Sequence, residues 1–372
     1  MKFTIPKNDF AAVLQTVSRA VSSSAVVPAL SGILVTAEDG ELRLVGSNSS
    51  LSIEATVTAQ VEQEGSIVLP AKHLVDIIKK MPAGEINVEM QIIPVTCTFK
   101  AASKKSEFVL HGIKAEDYPN VKFDSSETPT NIRQSDLHYM IRSTVFAAAQ
   151  SDNRPILTGE LLERKAGTTT LVGIDGVRLA LARINNSDDA DALPAVVPAS
   201  TLSEILRLLD AKDDSEILLT IDQSHLHLDL GKVRVVSRLL EGQFPPYAQI
   251  IPEKSKTVVT LKRVEFAEAC ERASLLSGDN DKTIRIVANE GAMVISAKTA
   301  EVGSAREVLE CEVEGDKFDV AFNSRFITDG LKEMSSEKVS LYANGPFSPV
   351  KFTPVGSDGY VYVAMPLRTL GE

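Results

Sequence analysis

Three segments of the sequence share one apolar pattern, FAAVLQTV (10–17), LHYMIRST (137–144) and FAEACERA (266–273). Apolar or small side chains stand at i, i+3, i+4 and i+7, with Thr144 as the polar exception, and this spacing places four side chains on one face of an α-helix. The segments begin 127 and 129 residues apart. The 372-residue chain therefore divides into three copies of a unit close to the commonest domain size.

A second helical pattern repeats at nearly the same interval. Its apolar positions are Leu74, Ile77, Ile78 and Met81, then Leu202, Ile205, Leu206 and Leu209, then Ile327, Gly330, Leu331 and Met334. The segments between the helices are rich in β-branched residues and are separated by turn pairs such as Asp39-Gly40. The sequence predicts an α+β fold of three tandem domains, each with two helices and roughly eight strands, at residues 1–124, 128–252 and 253–372.

Composition excludes several classes of protein. The chain is 44% hydrophobic and 24% charged, which is typical of a soluble globular protein rather than a disordered one. No apolar run reaches the 18 residues of a membrane span, and the start MKFTIPKNDF does not resemble a signal peptide, so we expect a cytosolic protein without membrane contact. Cys97, Cys270 and Cys311 are scattered, which predicts free thiols rather than disulfides or a zinc site.

Motifs of catalysis are missing from the sequence. It contains no P-loop, no dinucleotide-binding glycine pattern, no G-x-S-x-G and no H-E-x-x-H. His225 and His227 could share a strand face, but no third ligand is near them in sequence, and exposed strand residues are the simpler interpretation. We therefore predict no catalytic residue, no metal and no cofactor.

The net charge of −11 argues against a surface that is basic throughout, but the charges are unevenly distributed. The six helical segments, taken as 7–20, 71–81, 133–150, 199–212, 262–277 and 323–334, hold 14 basic and 10 acidic residues, and the rest of the chain holds 25 and 40. Basic residues on helices commonly line solvated faces. Alternatively, six equivalent helices form one weakly basic surface that faces phosphates, through Lys72, Lys79, Lys80, Arg142, Arg207 and Lys332.

Four further segments carry a specific resemblance: DNRPILTGELLE (152–163), GIDGVRLALAR (173–183), VRVVSRLLEGQFPPY (233–247) and YVAMPLR (362–368). Together with the three repeats, they resemble the bacterial DNA polymerase III beta subunits, the sliding clamps, over the whole chain. The resemblance implies a head-to-tail homodimer that closes a six-domain ring around duplex DNA of any sequence. It also implies a non-catalytic, cytoplasmic and nucleoid-associated protein that makes the replicative polymerase processive.

The family's partner pocket lies between the second and third domains and accepts a short peptide. The partners are the DNA polymerase III alpha subunit, the clamp loader, other polymerases and repair proteins. The resemblance places this pocket at Arg154, Leu157, Ile174, Gly176, Val177, Arg178, Leu179, Pro245, Ile250, Pro349, Val363, Met365, Pro366, Leu367 and Arg368. Apolar walls would hold the ligand's anchors, and Arg154 and Arg178 would donate hydrogen bonds to it. Without the resemblance, these residues would be interpreted as packing at a domain junction.

The resemblance also implies dimer contacts of Leu275 and Leu276 with Phe108 and Leu110, which by themselves would be interpreted as ordinary core. The chain departs from the family where His is common and Val177 stands here. Two DNA-contacting loops offer Ser24 and Gln150, and residues 369–372 extend beyond the usual ending. The alternative hypothesis is a monomeric three-domain scaffold that binds peptides and never encloses DNA, which sedimentation would distinguish.

Overall fold

The computed structural model of the chain describes residues 1–22, 27–102, 106–151, 153–186, 191–278 and 282–368. Ser24 and residues 369–372, named above as departures from the family, lie outside these ranges. Six α-helices occur in the described residues, two in each repeat. They are α1 (Lys7–Ser18), α2 (Ala71–Lys80), α3 (Gln134–Thr144), α4 (Ala199–Leu206), α5 (Arg263–Ser274) and α6 (Ser324–Lys332). The repeated helical pattern is thus confirmed.

The described residues also form 27 strands. The first repeat has β1 (Lys2–Pro6), β2 (Gly32–Glu38), β3 (Glu41–Ser47), β4 (Leu51–Thr58), β5 (Gln60–Gln63), β6 (Gly65–Pro70), β7 (Glu85–Gln91), β8 (Thr96–Ala101), β9 (Glu107–His111) and β10 (Ile113–Lys114). The second has β11 (Thr130–Arg133), β12 (Gly159–Lys165), β13 (Thr168–Ile174), β14 (Arg178–Asn185), β15 (Ala192–Pro198), β16 (Glu216–Ile221), β17 (His225–Asp229) and β18 (Val233–Arg238). The third has β19 (Thr257–Lys262), β20 (Thr283–Asn289), β21 (Ala292–Thr299), β22 (Gly303–Glu310), β23 (Glu312–Gly315), β24 (Phe318–Asn323), β25 (Lys338–Ala343), β26 (Val350–Pro354) and β27 (Tyr360–Ala364).

The chain forms two compact units, each containing one whole terminal repeat and part of the middle one. One unit comprises Met1–Gln134 and Arg207–Leu239, and the other comprises Ser135–Leu206 and Leu240–Glu372. The first unit holds a nine-stranded sheet, β10-β6-β2-β3-β4-β18-β17-β16-β11, and a five-stranded sheet, β5-β1-β7-β8-β9. The second holds a nine-stranded sheet, β15-β12-β13-β14-β27-β26-β25-β19-β23, and a four-stranded sheet, β22-β21-β20-β24. All the strand pairs are antiparallel.

The two nine-stranded sheets contain the same junction between successive repeats. In the first unit β4 pairs with β18, and Leu51 lies opposite Ser237. In the second unit β14 pairs with β27, and Arg178 lies opposite Ala364. Both residues of the second pair follow those of the first by 127 positions. The register of this junction is therefore conserved between the two units.

Two strands that correspond to these junction strands have only one neighbour each among the described residues. By its place in the sheet order, β22 is the third repeat's counterpart of β4 and β14, and it is the edge strand of the four-stranded sheet. Likewise β9 is the first repeat's counterpart of β18 and β27, and it is the edge strand of the five-stranded sheet. Their outward side chains are exposed, with Val109 at 54% and Val308 at 52%. Among the edge strands of each unit, one is thus the counterpart of a strand that is paired on both sides at an internal junction.

Gly330, the residue that interrupts the helical pattern of α6, leaves room for an aromatic ring. A Cβ atom at this position would lie 2.4 Å from Cδ1 of Tyr362. The tyrosine is 1% exposed, and its hydroxyl donates a hydrogen bond of 2.6 Å to the Phe326 carbonyl of the same helix. The glycine is therefore a packing requirement of the third repeat.

Thr144, the polar exception in α3, has a buried polar partner. Its hydroxyl lies 2.9 Å from the Met140 carbonyl and also bonds the carboxyl group of Glu160. Glu160 is the second residue of β12, and the corresponding residues of β2 and β20 are Ile33 and Ile284, all three fully buried. The second repeat thus replaces an apolar contact of the other two by a buried polar pair.

The sequence pattern indicated a helix over 199–212, but helix α4 ends at Leu206. Asp210 follows in a turn, where its carboxylate accepts a hydrogen bond of 2.9 Å from the Lys212 amide. Such local bonds between side chain and backbone compete with helical hydrogen bonding. Arg207 consequently lies just beyond the helix.

Candidate functional site

An apolar cluster, called the apolar floor below, lies in the second unit where the resemblance places the partner pocket. Its buried members are Leu161, Val172, Ile174, Leu179, Leu181, Val196 and Val363, and half-buried side chains around them include Ile156, Leu240, Phe244, Tyr247 and Ile250. Leu157 is also buried, at 1% exposure. Side chains alternate along β14, so Leu179 joins this cluster whereas Ala180 joins the core beneath α5 and α6. Of the predicted apolar residues, the structure brings Ile174, Leu179, Ile250 and Val363 together in this cluster at the β14–β27 junction.

A tight turn between β13 and β14 forms one rim of this floor. Gly176 has φ of +95°, and a Cβ atom there would lie 3.3 Å from an Nη atom of Arg154, so the guanidinium group lies against the turn. Val177 is 42% exposed. Its carbonyl accepts a hydrogen bond of 2.8 Å from the Met365 amide, which holds the C-terminal segment beside the turn.

The remaining predicted pocket residues differ in exposure. Half-buried positions, which can both pack and contact a ligand, are Pro245, Pro349, Met365, Pro366 and Leu367. Arg368 is exposed. The Leu367 amide donates a hydrogen bond of 2.8 Å to the Ala321 carbonyl, so the main chain is held up to this point.

Arg178 is engaged by the protein itself. Its Nε donates to Asp175 at 2.8 Å, its Nη1 donates to Asp329 at 2.8 Å, and its Nη2 donates to the Phe146 carbonyl at 2.7 Å. The guanidinium carbon lies 5.0 Å from the ring centre of Phe326. Burial alone would lower the pKa of Arg178, but Tyr362 and the two carboxylates outweigh burial and raise it. The three nitrogen atoms of Arg178 thus link β14 of the second repeat to helix α6 of the third. A direct hydrogen bond from Arg178 to a bound peptide stays a prediction.

This network was not foreseeable from spacing. Asp329 is 151 residues away from Arg178 in sequence, and it lies on a helix of the following repeat. The sequence indicated only the local part of the network, the Asp175–Gly176 turn. In this turn the Asp175 carboxylate also accepts hydrogen bonds from the backbone amides of Val177 and Arg178.

The predicted DNA-facing residues are exposed, and Arg142 and Lys332 form ion pairs within the protein. Lys72, Lys79 and Lys80 are all exposed on α2, and Arg207 and Gln150 are exposed in turns. Arg142 of α3 binds Glu333 at 2.9 Å, and Lys332 of α6 binds Glu271 at 3.0 Å. Both basic side chains remain 58% exposed, so these ion pairs are weak and leave charge available to solvent.

The four residues predicted at a dimer interface are not ordinary core. Leu275, which follows α5, is 78% exposed, and Phe108 in β9 is 40% exposed. Leu110 and Leu276 are half-buried. Single exposed apolar side chains are common on protein surfaces, so a dimer contact through these four residues stays a prediction.

Within the described ranges, the structure contains no helix long and apolar enough to span a membrane. In the same part of the chain, no group of three or more His, Cys, Asp and Glu side chains is arranged to hold a metal ion. His227 is instead bound to its own protein, with Nδ1 3.1 Å from the Phe123 carbonyl and Nε2 3.0 Å from Asp222. The three cysteines are free and buried.

Comparison with known proteins identifies the family. The family model of the DNA polymerase III beta subunit matches in three parts, its N-terminal domain at residues 1–122, its central domain at 131–246 and its C-terminal domain at 248–368. The chain belongs to the DNA polymerase III beta subunit family. The resemblance given above and the three-domain α+β clamp fold are thereby confirmed.

Relatives of this beta-subunit family member cover its whole length. The beta sliding clamp of Halalkalibacterium halodurans is 32% identical over 384 residues, covering 99% of this chain and 100% of the relative. That of Bacillus subtilis is 30% identical with the same coverage. A crystal structure of the Bacillus subtilis sliding clamp superposes with a TM-score of 0.95 and 29% identity over 99% of both chains. A crystal structure of a Pseudomonas aeruginosa sliding clamp bound to griselimycin superposes with a TM-score of 0.92. Its sequence is 30% identical, over 99% of this chain and 100% of that one.

Proposed function

We propose that this chain is a DNA sliding clamp, in which two copies close head to tail into a ring of six domains around duplex DNA. The observation that carries the proposal is the pair of open sheet edges, β9 and β22. These strands are the counterparts of strands that already pair at the two junctions inside the chain. Pairing β22 of one copy with β9 of another, at both ends, repeats the junction and leaves neither edge open.

Side chains at the internal junction support the predicted dimer contacts. Phe146 packs on Tyr362 with ring centres 5.9 Å apart. Leu275 is the third repeat's counterpart of Phe146, since each follows the apolar helix pattern by two residues. Phe108 is the first repeat's counterpart of Tyr362, since Phe108 lies opposite Phe99 as Tyr362 lies opposite Phe352.

A contact of Leu275 with the partner's Phe108 therefore copies an observed one. In the same way, Leu276 and Leu110 are the counterparts of Ala147 and Ala364, which share one core cluster. The leucines would bury apolar area where the internal junction has two small residues.

Weak DNA contact follows from the charges. A ring holds DNA by enclosure, so it needs contacts that are interchangeable along the phosphate backbone rather than tight readout. The exposed, partly paired basic residues on the helices suit this, namely Lys72, Lys79, Lys80, Arg142, Arg207 and Lys332, with Gln150 as a neutral contact. An excess of acidic residues elsewhere repels nucleic acid from the outer surface. Such a clamp is nucleoid-associated and non-catalytic.

The apolar floor at the β14–β27 junction is the proposed recruitment site. It suits short peptides with Leu or Phe anchors, which the DNA polymerase III alpha subunit, the clamp loader, other polymerases and repair proteins would present. Arg154, beside the Gly176 turn, is placed to meet the ligand's polar groups. The domain limits 1–124, 128–252 and 253–372 stay a prediction that accompanies this proposal.

Loading onto nicked circular DNA tests the clamp function. The purified protein is loaded with a clamp loader and washed at high salt, and the bound fraction is measured before and after the circle is cut. A ring stays on intact circles and runs off linear DNA, because enclosure does not depend on ionic contacts. Loss from intact circles in the same wash would show that the protein binds without enclosing DNA.

A peptide-binding assay tests the recruitment site. Met365→Ala shortens a half-buried side chain at the rim, and we expect at least a tenfold rise in the dissociation constant of a polymerase-derived peptide, about 1.4 kcal/mol. Met293→Ala, in the core of the third repeat, is the matched control and should change stability more than affinity. Equal affinities for wild type and Met365→Ala would refute the assignment.

A further inference from the structure

One cross-strand position distinguishes the two junctions inside the chain. At the β4–β18 junction, Glu54 lies directly opposite Arg234. The Arg234 Nε donates to the carboxylate at 2.8 Å, and Arg43 Nη1 donates to it at 3.1 Å. Glu54 is only 2% exposed, so these two arginines supply the hydrogen bonds that water would otherwise give its carboxylate.

The same position at the second junction is apolar. Leu181 is the fourth residue of β14 as Glu54 is the fourth residue of β4, and it lies opposite Val361. Leu181 belongs to the apolar floor of the proposed recruitment site, and Val361 packs against it. No charged side chain takes part in this pair.

The open edges carry a third pair, with the signs exchanged. Matching β22 with β14 makes Arg306 the counterpart of Leu181 and Glu54, because it is the fourth residue of its strand. Matching β9 with β27 makes Glu107 the counterpart of Val361, because it precedes Phe108 as Val361 precedes Tyr362. Arg306 is exposed, and so is Glu107, whose carboxylate lies 3.3 Å from Lys100 of the adjacent strand.

We infer that Arg306 and the partner's Glu107 form a cross-strand ion pair that specifies which strand closes the ring. This inference rests on the proposed dimer and adds its register: Arg306 opposite the partner's Glu107, and Ala305 opposite the partner's Phe108. Directly opposite charges attract across antiparallel strands, and like charges repel. The three junctions thus carry three different pairs at one position: Glu with Arg, Leu with Val, and Arg with Glu.

This arrangement disfavours the incorrect pairings in which an open edge, β9 or β22, takes part. If β22 paired with β18, Arg306 would face Arg234, and if β4 paired with β9, Glu54 would face Glu107. Pairing either charged edge with β14 or β27 would set a charge against the apolar floor, where it has no partner. Specificity of this kind arises from penalties on the alternatives as well as from attraction in the correct pair.

Charge exchange tests the inference. Arg306→Glu and Glu107→Arg are made separately and together, and the dimer dissociation constant is measured by sedimentation after circular dichroism confirms folding. Each single variant replaces two attractive pairs per dimer by two repulsive ones, so we expect a rise of about tenfold or more. Lys298→Glu, on the strand next to β22, and Glu89→Arg, on β7 two strands away from β9, change exposed charges by the same amounts and serve as controls.

Mixing the two single variants gives the sharpest result. In a dimer of one Arg306→Glu chain and one Glu107→Arg chain, the two substituted positions face each other at one interface, and their charges are opposite. At the other interface the unchanged Arg306 faces the unchanged Glu107. The mixture, and the double variant alone, should dimerise like wild type. Single variants that dimerise like wild type, or a mixture that fails to recover, would overturn the ion pair while leaving the ring intact. A wild-type protein that stays monomeric would overturn the proposed dimer and this pair with it.

Discussion

The buried carboxyl of Glu160 gives a pH-dependent prediction about the free energy of unfolding. It is fully buried in the second repeat, it bonds the Thr144 hydroxyl, and its Oε1 has no hydrogen-bond partner among the described residues. Burial raises the pKa of Glu160 to about 8, although the hydrogen bond from Thr144 acts in the opposite direction. We propose to replace it by isoleucine, the residue at the corresponding positions 33 and 284.

The magnitude follows from proton linkage. Above the unfolded pKa of 4.5 the unfolded chain has released the proton that the folded chain keeps until about pH 8. The free energy of unfolding therefore falls as pH rises through this window, by up to about 1.4 kcal/mol per pH unit. Between pH 5 and pH 8 the loss is roughly 3 kcal/mol. Glu160→Ile removes the titrating group. The difference in free energy of unfolding between this variant and wild type should therefore shift in favour of the variant by that amount between pH 5 and pH 8.

The free energy of unfolding around Glu160 is measured by urea titration at pH 5, 6.5 and 8. Hydrogen exchange of peptides from β12 and α3 reports the unfolding of this region. A local readout is needed because a chain of several domains need not unfold in one step. Glu160→Gln keeps the shape of the side chain but cannot titrate, so it should lose the same pH dependence as Glu160→Ile. Glu216→Gln removes an exposed carboxyl group, and this variant should keep the pH dependence of wild type. Parallel pH profiles for wild type and Glu160→Ile would refute the reasoning.

Three further predictions concern stability and reactivity. Gly330→Ala places a Cβ 2.4 Å from the Tyr362 ring and should lower the free energy of unfolding by about 2 kcal/mol or more, measured by urea denaturation; an unchanged midpoint would contradict the packing described. Arg178→Met leaves Asp329 and Asp175 without their guanidinium partner and should cost about 3 kcal/mol, part of which Arg178→Lys restores; equal losses for both variants would argue against the ion pairs. Burial raises the pKa of Cys97 to about 12 and also that of Cys270, so both thiols should react with iodoacetamide only after unfolding, and rapid labelling of the folded protein at pH 8 would disprove their burial.

Local patterns predicted the positions of the six helices, because each helix has a largely apolar face whose spacing is visible within eight residues. Strand number was also close to the expectation. The sequence did not indicate which strands meet, because pairing between β4 and β18 joins residues about 180 positions apart, and β-propensity says nothing about partners.

Predictions of individual roles were less complete. The family resemblance placed Ile174, Leu179 and Val363 in one pocket, and the structure places them in one cluster. It also assigned Arg178 to ligand binding, whereas the guanidinium is occupied by Asp329 from the next repeat, a contact with no local signal. Gly330 looked like a flaw in a helical pattern, and only the Tyr362 ring explains it.

The open edges β9 and β22 also bear on how such a protein can change its subunit number. A chain built from whole copies of this repeat ends in the same two complementary edges whatever the number of copies. If each junction contributes the same turn, a chain of two repeats closes the six-domain ring with three copies, and a chain of six closes it alone. In the proposed ring, loss of one repeat or doubling of all three would thus change the number of chains that assemble, while the total of six repeats, and with it the size of the hole, stays the same.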